Sequence, residues 1–197
     1  MRNTFFICCI LLLLTSCGRK TIVRKYYLIK TAPVERIERE PVTSATCQVE
    51  PVDIYPEFTT ERIAQRNETH EIVYYSNHFW AIKPGETMTR ILVNHLGKAG
   101  IFRSVDNRFY AMSPDYSLET TVYQLEVFEE EKDLKAHLHL EFVLKENVSG
   151  NIILTHSNNL VEPLPDRDMN SFAALISTMF HQEIMVWSGK IKTYFEQ

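Results

Sequence analysis

Cysteine is scarce in this chain, and its placement excludes several kinds of stabilisation. Three of the four cysteines fall within the first 17 residues, and only Cys47 lies beyond them. A lone thiol forms no internal disulfide, and without a CxxC pair there is no structural zinc signature. The lone Cys47 therefore reads as a buried, inert thiol. Positive charge is also in short supply: 21 basic against 25 acidic side chains give a net charge of −4. That balance argues against a nucleic-acid partner, which a clustered basic face would serve, and gives no reason for attraction to anionic lipid surfaces. Catalytic motifs are missing too. The sequence contains no GxSxG elbow, no glycine-rich phosphate loop and no HExxH pair. It has no internal repeat and no low-complexity tract.

The N-terminal apolar run is short as well. Phe5–Leu14 is ten residues without a charge, about half of what a helix needs to cross a hydrocarbon core. Behind Arg2, it has the length of a signal-peptide core. Leu14-Thr15-Ser16-Cys17 follows, with the pattern of a bacterial lipobox. The expectation is removal of residues 1–16 as a signal peptide and lipidation of Cys17 by diacylglycerol and a further acyl chain such as palmitate. Residues 17–25 would form a lipidated, basic tether, and 26–197 a single domain. Hydrophobic residues make up 45% of the chain, enough for one packed core. Gly18-Arg19-Lys20 carries no acidic residue after the cysteine, which suits an outer-membrane anchor facing the periplasm.

Periodicity supplies the elements. Tyr26–Ile29 reads as a first strand and Glu35–Glu40 as a charged turn. Cys47–Ile54 alternates enough for a strand, with Pro51 suggesting an edge or a bulge. Tyr55–Phe58 breaks it, and Arg62–Ser76 forms a hairpin turning at Asn67. Met88, Ile91, Leu92, His95 and Leu96 share one face of a helix over Glu86–Lys98; His95 there reads as a core-edge histidine. A short strand at Ile101–Val105 precedes Tyr116–Phe128. In that segment the apolar residues shift from even to odd positions, which requires a bulge near Val122. Glu129–Lys132 makes a turn. Ala136, Leu138, Leu140, Phe142 and Leu144 then define a half-buried strand. Its other face carries His137 and His139, which could reach one metal but read better as two solvent-facing residues. After a turn at Asn147–Gly150 a partner strand runs over Asn151–Thr155. A long helix begins near Asp168, a good N-cap, while Asp166 belongs to the loop before it. The order implies an α+β domain, a mostly antiparallel sheet with two main helices packed on one face.

The order of several short motifs resembles the ABC-type transport auxiliary lipoproteins, the family of the paraquat-inducible protein C. These are a lipobox, Tyr26-Tyr27-Leu28, Val52-Asp53-Ile54-Tyr55-Pro56-Glu57-Phe58, Arg62-Ile63-Ala64-Gln65-Arg66, Glu71-Ile72-Val73-Tyr74-Tyr75 and His78-Phe79-Trp80-Ala81 before the first helix. Ile82-Lys83-Pro84 departs from the acidic-Pro-Leu expected after Trp-Ala. The resemblance implies a binding and docking subunit of an MCE-type ABC lipid transport system, with no enzymatic activity and no cofactor. Its partners would be an MCE-domain protein and that protein's ABC transporter, with membrane attachment through the N-terminal lipid. A homo-oligomer stays open. Two other classes remain: a structural envelope lipoprotein without a transport role, and a periplasmic hydrolase. Trp80, Tyr55 and Pro56 are the candidate interface or anchor residues. For Trp80 the preferred reading is a buried anchor pinning the helix to the sheet, against an exposed interface hot spot.

Overall fold

A computed structural model describes residues 23–33, 40–110 and 113–197. The signal segment, Cys17, most of the expected tether and nearly all of the Glu35–Glu40 turn lie outside the described residues. The strands are β1 (Lys25–Tyr27), β2 (Thr46–Val49), β3 (Asp53–Ile54), β4 (Arg62–Asn67), β5 (Ile72–Trp80), β6 (Ser104–Asp106), β7 (Tyr116–Glu130), β8 (Asp133–Glu146) and β9 (Ile152–Pro163). Helix α1 (Pro84–Lys98) follows β5, helix α2 (Met169–Phe195) follows β9, and a single 3-10 turn covers Pro56–Phe58.

β7 is the spine of the sheet. Along one side it pairs with β8, and β8 with β9, in antiparallel register. Along its other side three short strands lie in series and parallel to it: β2 against Tyr116–Leu118, β3 against Thr121–Val122 and β4 against Glu126–Glu129. β5 pairs with β4 in the expected hairpin, and β1 and β6 add as outer strands. The fold class is α+β, as expected. The sheet is mixed, however: three of its eight pairings are antiparallel, those three including the two longest. Side-chain alternation reports which face is buried and carries nothing about strand direction, so the parallel pairings were not readable from it.

The expected bulge is present. Val122 pairs with Leu140 and Gln124 with His139, leaving Tyr123 as the extra residue. Before it Leu118 and Val122 are buried, and after it Leu125 and Val127, so the shift of parity keeps one apolar face toward the helices. Pro51 does more than bulge a strand. It separates β2 from β3, and β2 is internal, flanked by β6 and β7. Ile101 and Phe102 are buried but not in a strand, because the backbone of residues 100–103 bonds to the irregular segment 42–45. β9 extends well past Thr155. Its edge position leaves most of its side chains half or fully exposed, which hid the strand behind Ser157-Asn158-Asn159.

Both helices bury the faces their spacing predicted. Met88, Leu92, His95 and Leu96 of α1 are buried, as are Phe172, Ile176, Met179, Phe180, Ile184 and Trp187 of α2. Asp168 caps α2 by accepting from the Asn170 amide at 3.2 Å, and Asp166 in turn accepts from the Asp168 amide. The β7–β8 hairpin turns on Glu131 and Lys132, both with positive φ (48° and 79°). That geometry is favourable for glycine and asparagine and strained for these two residues.

Candidate docking groove

The Pro51 break positions a groove. Between β2 and β3 the chain leaves the regular ladder, and the Val52 amide donates to Thr89 Oγ1 at 2.9 Å instead. Thr89 donates onward to the Gly85 carbonyl at 2.8 Å. α1 approaches closely here: a Cβ on Gly85 would lie 3.1 Å from the Val52 carbonyl oxygen. Pro84 opens the helix, as Pro at the first position does, and Lys83 at the N-cap makes no side-chain cap. The result is a mainly apolar hollow of about 640 Å³ between α1 and β3, with Val52, Ile54 and Val93 among its lining and Asp53, Lys83, Glu86 and Arg90 around it. None of these four charges forms an ion pair among the described residues.

The sheet face opposite the helices is polar and densely paired. Glu126 on β7 is fully buried and accepts from Arg66 of β4, through Nε at 3.1 Å and Nη2 at 2.5 Å. His137 bridges Glu126 (3.1 Å) and Asn159 of β9 (2.7 Å). Burial alone would raise the Glu126 carboxyl, but the bonds from His137 and Arg66 outweigh it and hold the group below its ordinary value. The expectation that His137 faces solvent is therefore corrected: it is 8% exposed, covered by its position between neighbouring strands. His139 is half-buried, bonded to Gln124 at 2.7 Å. Burial, then the proximity of His137, lowers its pKa. Among the described residues no group of three or more His, Cys, Asp or Glu is placed to hold a metal ion.

The residues singled out from the sequence scatter over the molecule. Tyr55 is 43% exposed, its ring edge-on to Tyr123 at 5.0 Å, and its amide donates to the Val122 carbonyl. Its partner is the bulged residue, so the break in one strand and the bulge in the other meet. Pro56 is exposed and begins the 3-10 turn. Trp80 is 2% exposed and lies 5.8 Å from the Phe172 ring, so its packing is against α2. Cys47 is fully buried, and burial pushes its thiol up to about 12. Sequence reasoning missed two partly buried polar clusters on α2. His156 and Asn158 of β9 both bond Glu183, at 2.6 and 2.9 Å. His95 and His181 face each other across the helices with ring centres 6.0 Å apart, and neither Nδ1 has a partner. A polar residue on an otherwise apolar helical face was the available signal for Glu183.

This arrangement of sheet and helices is shared with solved structures. A Xanthomonas campestris protein of family DUF330 superimposes with a TM-score of 0.73 at 17% identity, over 86% of this chain and 95% of its own. A second, uncharacterized protein gives 0.68 at 14% identity, over 86% and 99%. A hypothetical protein of Chlamydia trachomatis gives 0.52 at 7% identity, over 76% and 98%. No curated protein sequence matches significantly. The fold is that of an α+β domain, and a family model supplies the rest: the ABC-type transport auxiliary lipoprotein component matches residues 26–184. The chain belongs to that family, which is a transport auxiliary lipoprotein family and not an enzyme family. No helix among the described residues is long and apolar enough to cross a membrane.

Proposed function

We propose that the chain is the lipid-anchored docking subunit of an MCE-type ABC lipid transport system, held at the outer membrane through Cys17 and facing the periplasm. The observation that carries this reading is the match to the transport auxiliary family across nearly the whole domain. The α1–β3 groove is the surface best suited to docking. It is apolar at its floor, ringed by unpaired charges of both signs, and built from residues Pro51–Ile54 and the first turns of the first helix. An apolar anchor from a partner protein would fill the floor, and rim charges would set its orientation. Lipid itself would be held mainly by the MCE partner, since the open sheet face is occupied by paired polar side chains.

The test is co-purification of the full-length lipoprotein with the MCE protein and ABC transporter of the same organism. Wild-type protein is expected to retain the MCE protein without stoichiometric phospholipid of its own in native mass spectrometry. Lys83→Glu with Arg90→Glu, both exposed on the groove's rim, is expected to lose that association while the denaturation midpoint stays close to wild type. Failure of the wild type to associate with any MCE protein would point to a structural envelope lipoprotein and end the transport reading. Abundant bound phospholipid would recast the domain as a carrier.

A further inference from the structure

Among the described residues β9 closes one side of the sheet, with β8 as its only strand partner. It is 12 residues long, whereas the outer strands β1 and β6 have three each. Natural sheets blunt a long edge with lysine, proline or a bulge, because a row of free amides and carbonyls recruits another strand. β9 has few such devices beyond a bulge at Ile153 near its start, between the Leu154–Leu144 and Ile152–Lys145 pairs. From Ile152 to Val161 it carries no Lys, Arg, Asp or Glu, and its proline comes only at Pro163. A second observation lies beside it. The outer side of α2 exposes Met185 (53%), Val186 (47%) and Tyr194 (38%), and Ile152 of β9 is 60% exposed. A shallow hollow of about 480 Å³ joins Leu154 on the strand to Val186, Gly189 and Tyr194 on the helix. A side chain at Gly189 would meet nothing within 4 Å, so there is room for a side chain from outside. The one charged side chain lining the hollow, Lys190, is engaged within the chain by His156 at 2.8 Å.

We propose that the β9 edge and the adjoining side of α2 form a two-fold interface between copies of this chain. One symmetry operation satisfies both features. Antiparallel pairing of β9 with β9 of a second copy, about an axis normal to the sheet, keeps the helices of both copies on the same side. The apolar side of α2 then meets its own counterpart, an isologous contact. With the axis at Ser157, Leu154 stands opposite Leu160 of the second copy and Thr155 opposite its Asn159, and no pair of like charges is made. A lone extended peptide would cover the edge but leave Met185, Val186 and Tyr194 exposed, so the second copy fits more of the surface. This interface lies apart from the α1–β3 groove and does not depend on the transport reading.

The test uses the full-length chain in its membranes and in detergent. Thr155→Cys, Ser157→Cys and Asn159→Cys are each oxidised in place, with wild type and Glu71→Cys, on an exposed turn remote from β9, as controls. At least one β9 position is expected to give a disulfide-linked dimer well above both controls. Light scattering in detergent is expected to show a dimer, and Met185→Glu with Val186→Glu is expected to raise its dissociation constant by at least about tenfold. Both residues are exposed, so an unchanged denaturation midpoint separates lost association from lost folding; should that variant not fold, the cysteine series decides. A monomer at every concentration, or an oligomer that neither cross-links through β9 nor responds to the α2 substitutions, overturns the proposal.

Discussion

Replacing Trp80 by alanine separates a packing role from a docking role. The indole is 2% exposed at the end of β5, beside Phe172 of α2. Its own amide donates to the Glu61 carbonyl at 2.6 Å, and the next amide, Ala81, to Tyr27 of β1 at 2.7 Å. Removing the side chain therefore loosens a point where β1, β5 and the start of α2 meet. A buried aromatic covers about 150–250 Å², which at about 25 cal/mol/Å² is about 4–6 kcal/mol of transfer free energy. Measured Trp→Ala and Phe→Ala costs of about 3–5 kcal/mol set the more realistic range. Against a typical stability of about 5–15 kcal/mol, the variant should still fold but with little margin. In urea the midpoint is expected to drop with little change in slope. On heating, about 2–4 °C per kcal/mol for a domain of this size corresponds to a fall of about 10 °C. Trp80→Phe should recover more than half of the loss. Association with a transport partner, measured per folded molecule well below the midpoint, should be unchanged. A loss below about 1 kcal/mol, or partner binding abolished in a domain of wild-type stability, would refute the anchoring argument and make Trp80 an interface residue.

Acid should weaken the contact between the two helices. Burial first, then the neighbouring His181, lowers the pKa of His95 below its ordinary 6.5. Its contribution is complete above that pH, where the unfolded chain is also neutral, and stability falls as pH drops below about 6.5. Denaturation midpoints from pH 7.5 to 5 check this, and His95→Leu should flatten the slope. Glu126 has the carboxylate sign: its stabilisation is present above the ordinary value of 4.5 and is lost as pH falls through its depressed native value. Glu126→Gln should lower the midpoint at pH 7 and remove that part of the acid loss, whereas an unchanged titration would mean the Arg66 and His137 bonds contribute nothing. Lys132→Gly should raise stability by about 0.5–1 kcal/mol, because glycine adopts the positive φ of the hairpin turn without strain; a lower urea midpoint would count against the turn geometry. Cys17→Ala should leave an unprocessed or soluble chain, since stable attachment needs more than one acyl chain. A processed variant still recovered with membranes would refute lipidation at that position.

Local pattern determined much of this protein. The alternation from Ala136 to Leu144, the parity shift at Val122, the apolar stripe of α1 and the Asp168 cap each depend on neighbours within a few residues, so each was legible in the sequence. The family motifs belong to the same layer. Tertiary structure decided what lies across the sheet. Three short segments joined by a proline break and a 3-10 turn line up along one side of β7, and nothing within any one of them specifies that order or its parallel direction. The Arg66–Glu126 contact spans 60 positions and His156–Glu183 spans 27. Such pairs bury charge at acceptable cost only once strand register brings donors to the carboxylate. The same holds for His137, polar by position on its strand yet sealed by its neighbours, and for the α1–β3 groove, which exists because Gly85 lets a helix approach the break after Pro51. Periodicity acts within a strand or a turn of helix; direction, register and the satisfaction of buried charge are properties of the assembled sheet.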